Sequence, residues 1–393
     1  MFELLEETFR TNGPEAVIDL LISQARERKN YRELFAARLM QVRHRLGLPL
    51  IETEPVAGPE YEKALREAAR ETGELFLADG DIVSAWPYFR AIDEPAAVAA
   101  AIENVSVDGG PNLDRIIEIA FQESVNPRKG FELILQHHGI CRAITWFGSI
   151  RDFTPRQECL RVLVRALYQE LAHALQETIA SAEGARPATD NVAELTAGRP
   201  WLFEGGSYYV DSTHVTSVLQ SAPEIEDAPT LRMAVEIADY GRQLAPMYHF
   251  RGDPPFEDPY ADHAVYLRAL LGEDVDAAIA HFRQKAADQA AGADGDPAPA
   301  EVLIVLLVRL GRHVEAVRTS LEFFPASQAA PASCPSVLQL CQMAGDYETL
   351  RSLAQERDDR LSFVAAVVQG SSPGSSPTVR ASDPVSEGSQ AGS

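Results

Sequence analysis

Apolar residues recur along most of this chain at the three- and four-residue intervals of an amphipathic helix, and almost nowhere alternate as a half-buried strand requires. Four stretches repeat one motif: apolar residues, a glycine, then a small or apolar residue five positions on. They are Leu77-Ala78-Asp79-Gly80 to Ala85, Leu270-Leu271-Gly272 to Ala277, Leu310-Gly311 to Ala316, and Met343-Ala344-Gly345 to Leu350. A glycine that ends one helix and lets the next run back along it marks an antiparallel hairpin. Spacings of 39 and 34 residues between the last three glycines fit one two-helix repeat each.

The remaining elements follow from the same periodicity and from glycine and proline breaks. Phe2, Leu5 and Phe9 mark one helix, Asn12-Gly13-Pro14 stops and restarts it, and a third helix through Leu34 to Val42 exits at Gly47 with Pro49 beyond. Ile51 to Gly58 reads as a linker. A long helix follows from Tyr61, then the Gly80 turn and a second helix through Trp86 and Phe89 to Glu103. Residues 111 to 150 supply a pair broken at Asn126-Pro127 and near Gly139. Thr154-Pro155 opens the longest uninterrupted helix, to residue 183.

Between residues 184 and 260 the character changes. Glycine and proline pairs break the chain, while Trp201, Leu202, Phe203, Tyr208 and Tyr209 crowd an irregular stretch. A short β-hairpin across Gly205-Gly206 is the one candidate for strand structure. Helical periodicity returns at Val215 and at Leu231 to Leu244, and a second irregular stretch runs from Pro246 to Pro259. The reading is therefore all-α: antiparallel hairpins stacked as a solenoid, with irregular aromatic-rich insertions. Its segments are residues 1–50, 59–183, 184–260 and 261–369, the last interrupted by a linker from Ala291 to Pro299. A tail over 370–393, rich in Ser, Gly and Pro, is expected to be disordered.

Composition adds constraints. With 393 residues, 46% of them hydrophobic and 24% charged, the chain can bury a substantial interior. Its 58 acidic against 35 basic residues give a formal charge of -23, which repels phosphate backbones and argues against nucleic acid as a partner. No apolar run approaches the roughly 20 residues of a membrane span. The acidic start Met1-Phe2-Glu3 lacks the basic region of a signal peptide, and the expected location is the cytoplasm. Cys141, Cys159, Cys334 and Cys341 are scattered and read as core residues.

The segments Leu267-Arg-Ala-Leu-Leu-Gly-Glu-Asp-Val-Asp-Ala-Ala-Ile-Ala-His-Phe282 and Leu307-Val-Arg-Leu-Gly-Arg-His-Val-Glu-Ala-Val317 resemble tetratricopeptide-like repeats. The resemblance lies mainly in residues 61–103 and 260–355. It implies a superhelical scaffold in which the glycine packs where two helices come closest and the small residue after the turn lets the hairpin close. The aromatic expected early in each first helix is missing.

Candidate chemistry is sparse. Glu170 and His173 share a helix face at the spacing of carboxylate-bridged metal bundles, and Asp211 and His214 repeat that spacing. Asp262 and His263 lie beside Glu257 and Asp258 where a proline-rich loop enters a helix, with Tyr248, His249 and Asp253 nearby in sequence. These six, Glu170, His173, Asp211, His214, Asp262 and His263, are the candidate ligands for a divalent metal. Gln136-His137-His138-Gly139 is the one adjacent histidine pair. Because neighbours on a helix diverge by about 100°, both serve one metal only where the helix has ended. Cys141 is the nearest nucleophile to that pair and is expected on an apolar face with Ile144 and Phe147. Gly-x-Ser-x-Gly occurs only at 370–374, outside any strand-turn-helix setting, and no phosphate-binding loop is present.

Two functional readings follow. The first is a scaffold that binds another protein or peptide in a groove of stacked hairpins. The second is an all-α enzyme or small-molecule binder whose pocket is formed by residues 201–214 and 246–263.

Overall fold

The computed structural model describes residues 2–51, 58–108, 110–291, 296–324 and 333–371. Most of the expected linker at 51–58, residues 292–295 of that at 291–299, and nearly all of the expected disordered tail over 370–393 lie outside the described residues, while Ala298 and Pro299, expected in the linker, already belong to a helix that runs to Arg309. Within them the protein is all-helical, without a strand. The chain divides into two compact units, residues 1–163 and 164–393.

The first unit contains α1 (Phe2–Glu27), α2 (Tyr31–Arg45), α3 (Pro59–Ala78), α4 (Ile82–Ala91), α5 (Ala96–Glu103), α6 (Leu113–Ile117), α7 (Pro127–His138) and α8 (Ile140–Phe147). As the sequence indicates, α1 is interrupted at Gly13, whose φ of 86° and ψ of -178° are not helical. The helix expected to run from the Gly80 turn to Glu103 is two: Asp93, at φ 57°, breaks it after Ala91, and α5 starts behind Pro95. A π turn over Glu118–Gln122 continues α6 and packs against α7. Consecutive helices α1 to α5 each pack on the next, around a core of Ile82, Ala85, Phe89, Val98 and Ile102 and a smaller one of Ile18, Ile22, Tyr31 and Leu34.

The division falls inside α9 (Phe153–Glu183), the longest helix, whose Leu160, Leu163, Val164, Leu167, Leu171 and Leu175 are buried at helical spacing. The second unit continues with α10 (Val192–Thr196), α11 (Ser212–Ser221), α12 (Ala228–Gln243), α13 (Pro259–Leu270), α14 (Val275–Ala290), α15 (Ala298–Arg309), α16 (His313–Phe323), α17 (Val337–Ala344), α18 (Tyr347–Glu356) and α19 (Arg360–Gly370). From α12 onwards every helix packs on its successor. Tyr266, Phe282, Leu303, Leu307, Ala316, Leu340 and Leu350 form one continuous core through these pairs.

The four glycine turns share one geometry. Gly80, Gly272, Gly311 and Gly345 all have left-handed φ, between 67° and 85°. In each, the glycine N–H donates to the carbonyl three residues back and the next N–H to the carbonyl five back: Asp81 to Phe76, Glu273 to Arg268, Arg312 to Leu307 and Asp346 to Cys341, all at 2.9 Å. This pairing satisfies the last carbonyls of the outgoing helix. Asp81 and Asp346 then cap the returning helix, accepting from Ser84 N and Thr349 N.

Two details differ from the resemblance. Gly80, Gly272 and Gly311 do not pack against a facing helix; a β-carbon on any of these three would meet nothing within 4 Å, so backbone conformation alone selects glycine there. The glycines at close helix contacts are others: a β-carbon would stand 2.5 Å from the Phe89 ring at Gly73 and 2.2 Å from the Tyr260 ring at Gly241. Secondly, the turn after Gly272 is one residue longer. Its helix starts three residues after the glycine rather than two, with Asp274 left-handed at φ 46°. The buried small residue is consequently Ala278, and the expected Ala277 faces solvent.

Candidate functional site

The two irregular stretches of the second unit meet each other through tyrosine hydroxyls. Tyr209 Oη donates to Leu202 O at 2.7 Å and Tyr248 Oη to Gly206 O at 3.0 Å. Tyr260 Oη donates to Tyr248 O at 3.0 Å, while buried Tyr240 accepts from the Tyr209 amide at 2.9 Å. Burial pushes the Tyr240 and Tyr260 hydroxyls up to about 12, so both remain protonated partners of the backbone. The β-hairpin expected across Gly205-Gly206 does not form. Pro200–Gly206 instead forms tight turns broken by a kink at Glu204 and Gly205, where ψ of 151° and φ of 66° are not helical, and two carbonyls of this stretch, Leu202 O and Gly206 O, accept from tyrosines.

Beside this junction lies a charged cluster built by α13 and α14. Asp258 caps α13, accepting from the amides of Tyr260 and Ala261. One turn on, Asp262 is buried, its Oδ2 accepting from Asp258 N at 2.9 Å and from Lys285 Nζ at 3.0 Å. Its Oδ1 lies 2.8 Å from His281 Nε2. Lys285 also pairs with Glu257 in the preceding loop. Burial opposes both charges of that pair, but their hydrogen bond and mutual attraction outweigh it: Lys285 titrates above the ordinary lysine value and Glu257 below the ordinary glutamate value. A lysine held protonated in this way is a poor nucleophile. The arrangement ties the 246–258 loop to α14 by charge.

His263, next in sequence, serves a separate purpose. Its Nδ1–H donates to Pro259 O at 2.6 Å, and its ring stacks on Phe256 at 4.1 Å between centroids. Burial drives its pKa down to about 4, despite that hydrogen bond and the charge of Asp262. His263 is thus a neutral core residue in an aromatic cluster with Phe256, Tyr266 and Phe282.

The other candidates stand on separate elements. Asp211 caps α11, taking hydrogen bonds from Thr213 Oγ1 and Thr213 N that hold its carboxyl below the usual range, with half-buried His214 nearby adding to the effect. Glu170 and His173 are exposed on α9, and His173 Nδ1 accepts from Arg186 at 3.2 Å. Asp262 therefore meets His281 and Lys285 of the next helix rather than its neighbour His263. The sequence signal for these two was their four-residue spacing, which places them on one face of α14. Cys159 and Cys341 are buried as core residues, but Cys141 is exposed rather than on the apolar face of α8, which Ala143 and Phe147 occupy.

The described residues thus form an all-helical protein in which many consecutive helices pack on one another. Comparison with known protein families, with curated proteins and with solved structures finds no match. Among the described residues, no helix is long and apolar enough to cross a membrane.

Proposed function

We propose that this chain is a tetratricopeptide-like scaffold that binds a basic, amphipathic polypeptide segment along the hairpins of its second unit. The carrying observation is α19, the last helix among the described residues. On it Leu361 and Val364 lie one turn apart and face solvent, at 86% and 57% exposure. An apolar pair of this kind at the edge of packed hairpins is what an amphipathic helix would cover. The charge of -23 selects a partner rich in lysine and arginine. The repeated glycine turns support a stack of hairpins that presents such a pair on a fixed frame.

The test is selection of a phage-displayed random peptide library on the immobilised full chain, followed by titration of the enriched peptides. Enrichment of sequences with apolar residues at helical spacing and flanking lysine or arginine is expected, with binding weakened by about tenfold or more in Leu361→Asp and Val364→Asp. Absence of enrichment, or binding indifferent to both substitutions, overturns the proposal. A concentration-dependent dimer abolished by them would assign the pair to a second copy instead.

A further inference from the structure

In the first unit, three donor side chains from two separate elements converge on one point. His138 Nε2 lies 3.3 Å and His137 Nε2 3.8 Å from Asp114 Oδ1. All three donor atoms lie within 4.8 Å of one another, the one such group of histidine, cysteine or carboxylate donors among the described residues. None of the six metal candidates read from the sequence belongs to it. Adjacent histidines diverge in the middle of a helix, but here α7 ends: Gly139, at φ 80°, follows His138 directly. The two rings stand 4.6 Å apart between centroids, edge to face, with both Nε2 atoms turned to the same carboxylate.

The packing beneath holds this geometry. Asp114 sits at the start of α6, which runs into the π turn at Glu118–Gln122. Gly130 of α7 lies so close to that turn that a β-carbon would stand 2.9 Å from Phe121 N. Buried Phe131, Leu133 and Ile134 fix the same helix from its inner side. The separation of Asp114 from the histidine pair is thus set by a backbone contact that admits little play.

At 3.3 and 3.8 Å both histidine nitrogens stand farther from the carboxylate than the roughly 2.7–3.2 Å of a good N–H···O hydrogen bond. A cation between the three donors would bind each of them directly. Imidazole and carboxylate are donors suited to a divalent transition metal, and the negative helix end favours the ion. Tetrahedral zinc with bonds of about 2.0 to 2.2 Å separates its ligand atoms by roughly 3.4 Å, close to the two distances found. With Asp114 at 76% and His137 at 41% side-chain exposure, the remaining coordination positions face water.

We infer that Asp114, His137 and His138 form a binding site for a divalent transition metal of the zinc class, with a solvent-facing open position. The experiment is calorimetric titration of the chelator-treated full chain with Zn²⁺, paired with the visible absorption of added Co²⁺. One saturable site per chain is expected. His137→Ala, His138→Ala and Asp114→Asn should each weaken it by about tenfold or more, while His173→Ala leaves it unchanged. Each residue is partly exposed, and an unaltered circular dichroism spectrum and melting temperature establish that the variants fold. The inference is overturned if no saturable site is found, or if stoichiometry and affinity survive the His137→Ala/His138→Ala double substitution. Loss of the site in His173→Ala alone would also overturn it.

Discussion

The ring of Tyr260 packs directly over Gly241, so that a β-carbon there would stand 2.2 Å from Cδ1. This contact seats α13 on α12, and from α13 the Tyr260 hydroxyl reaches the Tyr248 carbonyl. Gly241→Ala should overpack the joint and cost about 1–3 kcal/mol. The drop in urea midpoint measures it, and a variant as stable as the wild type would contradict the described contact.

The turn at Gly311 makes a different demand, because space around it is open and only φ matters. Gly311→Ala places a β-carbon in the left-handed region and should cost about 1 kcal/mol. Gly311→Asn, whose side chain tolerates that region, should cost less. Thermal melts of the two variants decide the point: equal losses would mean that backbone conformation is not the reason for glycine.

His263 gives stability a definite pH dependence. Its folded pKa of about 4 lies below the ordinary value of 6.5, so the folded chain resists a proton that the unfolded chain accepts. The stabilisation is complete above pH 6.5 and is lost as pH falls toward 4. Between about pH 7 and about pH 5 the loss attributable to this residue is about 2 kcal/mol. Urea unfolding of wild type and His263→Phe at both values isolates it, since the other groups are common to the two proteins. Identical pH slopes would show that His263 is not held neutral.

Lys285 is a partner that Asp262 cannot lose cheaply. Lys285→Met leaves a buried carboxylate with only His281 and one backbone amide, at a cost of about 3 kcal/mol. The double substitution Asp262→Leu/Lys285→Met should recover part of that loss, because the buried Asp262 carboxylate is gone and only the partly exposed Glu257 is left without its lysine. Additive losses in the double variant would rule out the coupling.

Local chemistry explains what the sequence made legible. The breaks at Gly13, Gly80, Gly139, Gly272, Gly311 and Gly345 are visible because glycine answers a backbone requirement within its own turn; Thr154-Pro155 marks the first turn of α9, but the helix already begins at Phe153, so Thr154 lies inside it rather than capping it. Packing glycines such as Gly73 and Gly241 carry no such signal, since their need arises from a ring on another helix. The site was less legible still. Asp262 was singled out with its neighbour His263, yet its partners come from α14, nineteen and twenty-three positions on. Asp114 was not singled out at all, because nothing in sequence ties it to His137 and His138 across the π turn. In place of the Gly205-Gly206 hairpin, carbonyls of the stretch accept from Tyr209, seven residues past Leu202, and from Tyr248 of the second irregular stretch.

The extra residue after Gly272 acts on the whole of α14 as an indexing step. Adding one residue to a helix that turns about 100° per residue changes which side of the rod faces its neighbour. At this step the side carrying His281 and Lys285 meets Asp262, and the apolar residues Ala278, Ile279 and Phe282 fill the core. Removing Asp274 to match the other turns would set the rod one notch round and put its core and its charges out of phase. A single loop residue thus determines whether this hairpin carries its charged latch.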